Sequence, residues 1–251
     1  MFFEITYNKP TKGGVQMKRN NQEDDYDHQI REFKKELGIH KIIAFSGGSS
    51  VELDGIPKED PLQLQYQEIR KEHERRFLDE CIGNLRGYRV AVLTGGTKFG
   101  FPKVATEKAK EYNLKTIGVY PLAGKKHALD DNLLDLSLCI EPQYGDSQWG
   151  DESPVYAKLL DAVIVFGGGA GTLIECAHIL KINERLLSNK DELKYIVPIT
   201  SSGGVASGLH FIWSKQEIRY ACMPERRIDN GYAAAQFLKE KLNIYDYPTE
   251  E

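Results

Sequence analysis

From Lys41 onward the chain alternates short apolar runs that stop at glycine with longer segments whose apolar residues recur every three or four positions. That alternation predicts strands followed by helices, the order that builds a parallel sheet. Ile42-Ile43-Ala44-Phe45 runs into Ser46-Gly47-Gly48-Ser49-Ser50, and a helix follows with Leu62, Tyr66, Ile69, His73, Phe77, Cys81 and Leu85 on one face. Val90-Ala91-Val92-Leu93 runs into Thr94-Gly95-Gly96, and Pro102 suits the first turn of a helix reaching about Tyr112. Thr116 to Tyr120 and Leu136 to Ile140 read as two further strands. Ala162-Val163-Ile164-Val165-Phe166 is apolar throughout, as a strand covered on both faces must be. It exits through Gly167-Gly168-Gly169-Ala170-Gly171 into a helix from Thr172 to about Leu187. Tyr195 to Ile199 closes the series of strands, and Ala233 to Leu242 is a last helix. The expected fold is α/β, a Rossmann-like, doubly wound and mostly parallel sheet flanked by helices in a single domain over residues 36–251.

Residues 1–35 differ in character. Residues 8–35 are mostly charged or amide side chains and read as a polar N-terminal extension with little to add to a core. Before them Phe2, Phe3, Ile5 and Tyr7 alternate, a pattern that fits an added edge strand or an oligomer contact.

The 251 residues are 41% hydrophobic, enough for one substantial core, and the formal charge of -4 supplies no global attraction to nucleic acid or to an anionic membrane. No apolar run approaches the roughly 18 residues of a membrane span, so a cytoplasmic location is expected. Cys81, Cys139, Cys176 and Cys222 lie far apart, without the spacing of a zinc site or redox pair. No metal and no cofactor is expected.

Any anion must therefore be held locally, and the glycine-rich strand exits are suited to that. A helix N-terminus offers amide N–H groups without intrahelical acceptors, and glycine lets a ligand approach them. The candidate phosphate contacts are Gly47, Gly48 and Ser49 after the first strand and Gly95 and Gly96 after the second. Gly168, Gly169, Ala170, Gly171 and Thr172 after the fifth complete the set. None fits the GxxxxGK[ST] spacing of a P-loop. Trp149, Asp151 and Glu152 are candidate base or ribose contacts, the indole stacking and the carboxylates accepting hydrogen bonds. The same stretch also reads as a helix start with Ser153 as cap and Pro154 in the first turn. Lys98 and Lys103 either reach a phosphate or lie on the surface. The cluster Arg70 to Arg76 reads as an exposed helix face.

Three stretches resemble one family. They are Ile43 to Ser50, Thr94-Gly95-Gly96 through Gly100 to Ala105, and Asp161 to Glu175, the last similar to a PGGxGTxxE signature with Phe166 in place of proline. The family is the LOG-like (SLOG) superfamily, with its lysine-decarboxylase-like phosphoribohydrolases and its molybdenum-cofactor carrier proteins. The resemblance implies hydrolysis of the N-glycosidic bond of a nucleoside 5′-monophosphate or related ribosyl phosphate, with Glu175 as the catalytic carboxylate and a homo-oligomeric assembly. The alternative is a noncatalytic nucleotide or molybdenum-cofactor carrier or sensor. Where the phosphoribohydrolases carry an Arg-Lys pair, this chain has Glu152-Ser153. Thr172-Leu173-Ile174-Glu175 also fits a capping box, which would give Glu175 a purely local role.

Overall fold

Apolar, β-branched runs between glycine breaks leave these strands little choice but to pair and bury both faces. The computed structural model describes residues 21–48, 56–189, 192–212 and 215–246; the Phe2 to Tyr7 alternation and Ser49 lie outside them. The order is α1 (Asn21–Glu36), β1 (Lys41–Gly47), α2 (Pro61–Gly83), β2 (Val90–Thr94), α3 (Gly100–Glu111), β3 (Lys115–Pro121) and β4 (Leu136–Ile140). It continues with α4 (Ser153–Leu159), β5 (Ala162–Phe166), α5 (Ala170–Leu186), β6 (Tyr195–Ile199), α6 (Gly204–Ile212), α7 (Gln216–Cys222) and α8 (Gly231–Lys241). One six-stranded sheet runs β4-β3-β2-β1-β5-β6 with every pairing parallel, the doubly wound Rossmann-like arrangement expected from the sequence.

Alternate side chains of each strand enter two cores. Ile42, Ala44, Val163 and Val165 face α1, α4, α5, α6 and α7, while Ile43, Phe45, Ile164 and Phe166 face α2, α3 and α8. The chain builds outward from β1 through β4 on one side and through β5 and β6 on the other. Loops leaving β1 and β5 therefore diverge and leave a crevice at the strands' carboxyl ends.

Three differences from the sequence reading have physical causes. Residues 21–36, inside the segment read as peripheral, form α1, which buries Ile30 and Phe33 and sends the Tyr26 hydroxyl to the carbonyl of Cys139. Tyr26, Ile30 and Phe33 are spaced by four and three, a narrow stripe hidden in a polar composition. The stripe of α2 is core only in its second half: Phe77 and Cys81 are buried, whereas Leu62 is 55% and Ile69 62% exposed. The run of small residues from Ser201 to Gly208, loop-like in composition, instead enters a 3₁₀ turn at Thr200–Ser202 and then α6.

Gly231 opens α8 where it meets α2, and a Cβ there would collide with the carbonyl oxygen of Phe77 and lie 2.6 Å from the amide of Cys81. Gly231→Ala should therefore lower stability by about 1–3 kcal/mol, the usual cost of overpacking, read as a lower urea midpoint at unchanged slope.

Candidate functional site

The crevice is framed by the exits of β1 and β5, which come very close together. A Cβ on Gly47 would stand 2.6 Å from the carbonyl oxygen of Phe166 and 2.6 Å from the Phe101 ring, so only glycine fits. Beyond it, the amide of Phe101 donates to the Gly48 carbonyl at 3.1 Å, docking the β1 turn on the start of α3.

The β5 exit is held from one side and open on the other. The Gly167 amide donates to Ser202 Oγ at 2.6 Å, and the carbonyls of Gly167 and Gly168 each accept an amide from α6 at 3.0 Å, those of Ala206 and Val205. Gly204 packs so closely that its Cβ would sit 2.5 Å from the Gly168 oxygen. Gly169, Ala170 and Gly171 are exposed, and a Cβ on Gly169 or Gly171 would meet nothing within 4 Å. The first amides of α5 thus rise from a braced base toward open space, with the positive end of the helix dipole behind them.

The brace includes a residue that sequence reasoning placed on the surface. Arg70 is only 12% exposed in its side chain; it lies 4.8 Å over the Phe166 ring, donates to the Ser202 carbonyl and touches Gly167. Glu74, buried one turn on, approaches its Nε at 3.5 Å, and burial raises its carboxyl above the ordinary range. The balanced charges from Arg70 to Arg76 resemble a solvated face. The aromatic target that draws Arg70 inward is about a hundred residues away in sequence, and no local signal marks it.

Glu175 rises from the second turn of α5 and accepts a hydrogen bond from the Ser46 hydroxyl at the end of β1, which joins the two sides of the crevice. The capping-box role does not form: α5 begins at Ala170 with Gly169 as its cap residue and no side-chain cap bond, so Thr172 lies inside the helix. Loss of solvent is the main reason the Glu175 carboxyl is pushed up to about 8; the Ser46 bond opposes this, and the nearby charge of Glu152 adds to it.

Glu152, the residue that precedes the first turn of α4, is near enough for its charge to act on Glu175, and α4 packs against α5. The Glu152 carboxylate accepts the Gly150 amide at 2.8 Å, and burial raises it too. Asp151 accepts the Gln148 amide at 2.8 Å and shapes the same turn. Trp149 is 57% exposed and lies against Gly124, whose Cβ would be 3.0 Å from the indole, in the turn that follows β3. Behind Glu152, Ser153 and Tyr156 are buried, and neither hydroxyl has a hydrogen-bond partner. Tyr156 was not a candidate from sequence, because a buried aromatic on a short helix reads as packing.

Other candidates have structural roles. Gly96, at φ 60°, has its amide on Thr94 Oγ1 and its carbonyl on the Leu129 amide, and a Cβ would stand 2.7 Å from Gly118 Cα. Gly95 beside it faces open space. Lys98 pairs with Asp130 at 2.7 Å and Lys103 with Glu107 at 3.3 Å. Cys81, Cys176 and Cys222 are buried, and burial pushes their thiols up. Among the described residues no cluster of three or more His, Cys, Asp or Glu could hold a metal, and no helix is long and apolar enough to cross a membrane.

A parallel doubly wound sheet with its small-residue turns gathered at one switch point defines a Rossmann-type α/β domain. A profile of the SLOG cluster4 family matches residues 71–204, more than half of the chain, and the chain belongs to that family. The match begins within α2, so the β1 turn at Ser46 to Gly48 stands outside it. The fold is similar to TM1055, a structural genomics target, at TM-score 0.52 and 15% identity over 80% of this chain and 99% of that one. It is also similar to the molybdenum cofactor carrier protein of Chlamydomonas reinhardtii, at TM-score 0.54 and 19% identity over 81% and 98% of the two chains. No curated protein sequence matches the chain significantly.

The raised Glu175 makes a thermodynamic prediction. Between its ordinary carboxyl range and about 8 the folded state holds a proton that the unfolded state has lost, so stability falls as pH rises through that window. Glu175→Gln removes the linkage and should flatten the fall in melting temperature between pH 5 and pH 8 by thermal unfolding; an unchanged slope would contradict a desolvated carboxyl.

Proposed function

We propose that this chain binds a nucleoside 5′-monophosphate or related ribosyl phosphate and hydrolyses its N-glycosidic bond. The phosphate sits on the segment from Gly168 to Thr172, whose exposed part is Gly169 to Gly171, and Glu175 is the catalytic carboxylate. The observation that carries the reading is a raised carboxyl at Glu175, on the second turn of the helix that presents the amides of that segment, held by Ser46 and subject to the charge of Glu152. Two carboxyls that cannot both ionise freely share out the acid and base roles at neutral pH. The Glu175 proton passes to the departing base as the C1′–N bond breaks. The carboxylate left behind faces the ribosyl cation and stabilises it. Water then forms the C1′–O bond and returns a proton to the pair, so the products are free base and ribose 5-phosphate.

Gly47, Gly48, Ser49 and Gly95 border the same ligand, Gly96 shapes its turn, and Trp149 stacks on the base at the rim. Asp151 and Glu152 hold the rim turn in shape, Glu152 also facing the ribose. Assembly into a homo-oligomer, which the family resemblance implies, belongs to the same proposal.

A second reading, a noncatalytic carrier or sensor of a nucleotide or of molybdenum cofactor, is favoured by one observation: Glu152 stands where the phosphoribohydrolases carry arginine. The fold's similarity to the molybdenum cofactor carrier protein of Chlamydomonas reinhardtii adds a candidate ligand for it.

Incubation with a panel of nucleoside monophosphates, with chromatography for free base and calorimetry for binding, separates the two. The enzyme reading expects release of base from at least one member. Binding without release leaves the carrier reading alone. Under the enzyme reading Glu175→Gln should lower turnover by about 10²–10⁴-fold while affinity stays within twofold. Trp149→Ala should weaken binding about tenfold, in the range of one lost base stack, and a change within twofold would remove the stacking role.

A further inference from the structure

Among the described residues, the buried side-chain polar atoms without a hydrogen-bond partner are Arg70 Nε, Ser153 Oγ and Tyr156 Oη. Arg70 Nε has Glu74 at 3.5 Å, so its charge is answered. The two hydroxyls are not answered. They stand three residues apart on one face of α4, a helix that packs against α5. Both residues are nearly or wholly inaccessible, at 1% for Ser153 and 0% for Tyr156.

A hydroxyl buried without a partner forfeits its hydration and gains nothing in return, and phenylalanine would fill the tyrosine's space without that loss. The surroundings are not uniformly apolar. Burial raises the Tyr156 phenol well above its usual range, and the nearby charges of Glu175, Cys176 and Glu152 add to this. Glu175 is in turn fixed by Ser46 from β1. Hydroxyls that can donate, next to carboxyls that can accept, are what a buried water needs, since such a water makes two to four polar contacts.

We infer that Ser153 and Tyr156 hold a water molecule against the Glu175–Glu152 pair, and that this stored water is the nucleophile of the hydrolysis proposed above. The inference rests on that reading for its second half only. In the step, the C1′–N electron pair goes to the base as that bond breaks, and the water oxygen then forms its bond to C1′ of the ribosyl cation. One water proton goes to the carboxylate of the pair, replacing the proton the base has taken. Ser153 and Tyr156 touch the water rather than the substrate and are positioning residues. Arg70 and His73 pack on Phe166, on the opposite face of the sheet, which leaves proton transfer to the carboxyl pair.

Two measurements test this. In a high-resolution crystal structure of the ligand-free protein an ordered water is expected within hydrogen-bond distance of both hydroxyls. Its absence overturns the inference whatever the activity. Tyr156→Phe and Ser153→Ala, the first nearly isosteric, should each lower kcat by about 10²-fold with KM within twofold, as a misplaced nucleophile does. Their melting temperatures should be unchanged or lower. A raised melting temperature with kcat unchanged is the result expected of deleting a hydroxyl that bonds to nothing, and it too would overturn the inference. If the wild-type protein releases no base, the hydrolase reading fails and the nucleophile role with it, while the crystal structure still decides whether the water pocket exists.

Discussion

The close contact of β1 and β5 at their carboxyl ends governs this molecule. Gly47 lies against the Phe166 carbonyl with no room for a side chain, and on either side of that contact the chain turns away in opposite directions. The divergence opens a crevice, and the tightness of the contact fixes what borders it. Ser46 is delivered to Glu175 from one side and the amides of α5 from the other. A side chain at Gly47 would push the two exits apart and part the serine from the carboxylate. Specificity for glycine is here a matter of distance between backbones rather than of φ.

The same economy recurs behind the β5 exit. Its amide and two carbonyls are satisfied by Ser202 and by the first turn of α6, and Arg70 closes the far side by stacking on Phe166 and bonding to Ser202. The polar groups at the base of the loop are spent on holding it, and the tip faces open space. A loop with unsatisfied groups at both levels would rearrange to bond itself, and one with none would have nothing to offer an anion.

The sheet and its strands were legible because five-residue apolar runs ending in glycine have few other readings, and the fold class follows from their alternation with helical spacing. The third glycine loop was legible for the same reason. What stayed hidden depended on partners far away in sequence. The tyrosine and the arginine of the site, Tyr156 and Arg70, carry no local mark: one reads as packing and the other as a solvated face. Glu175 also fitted a capping box locally, and the carboxylate instead accepts a hydrogen bond from Ser46, 129 positions earlier, a partner no local pattern could reveal. Ile30 and Phe33 in α1 show the converse, a core contribution masked by the polarity around it.

The residues that border the crevice come from β1, α4, α5 and, through the brace, from α2 and the turn after β6. These residues are spread from Ser46 to Ser202, and the two walls meet only after β5 has slotted in beside β1, a pairing between residues more than a hundred positions apart. Closing a loop of that length costs chain entropy, so the crevice exists only where the long-range β1–β5 pairing has been made. A ligand that occupies it would then recognise completed molecules alone and shift the population toward them by mass action, which makes the small molecule a proofreader of the chain's own folding.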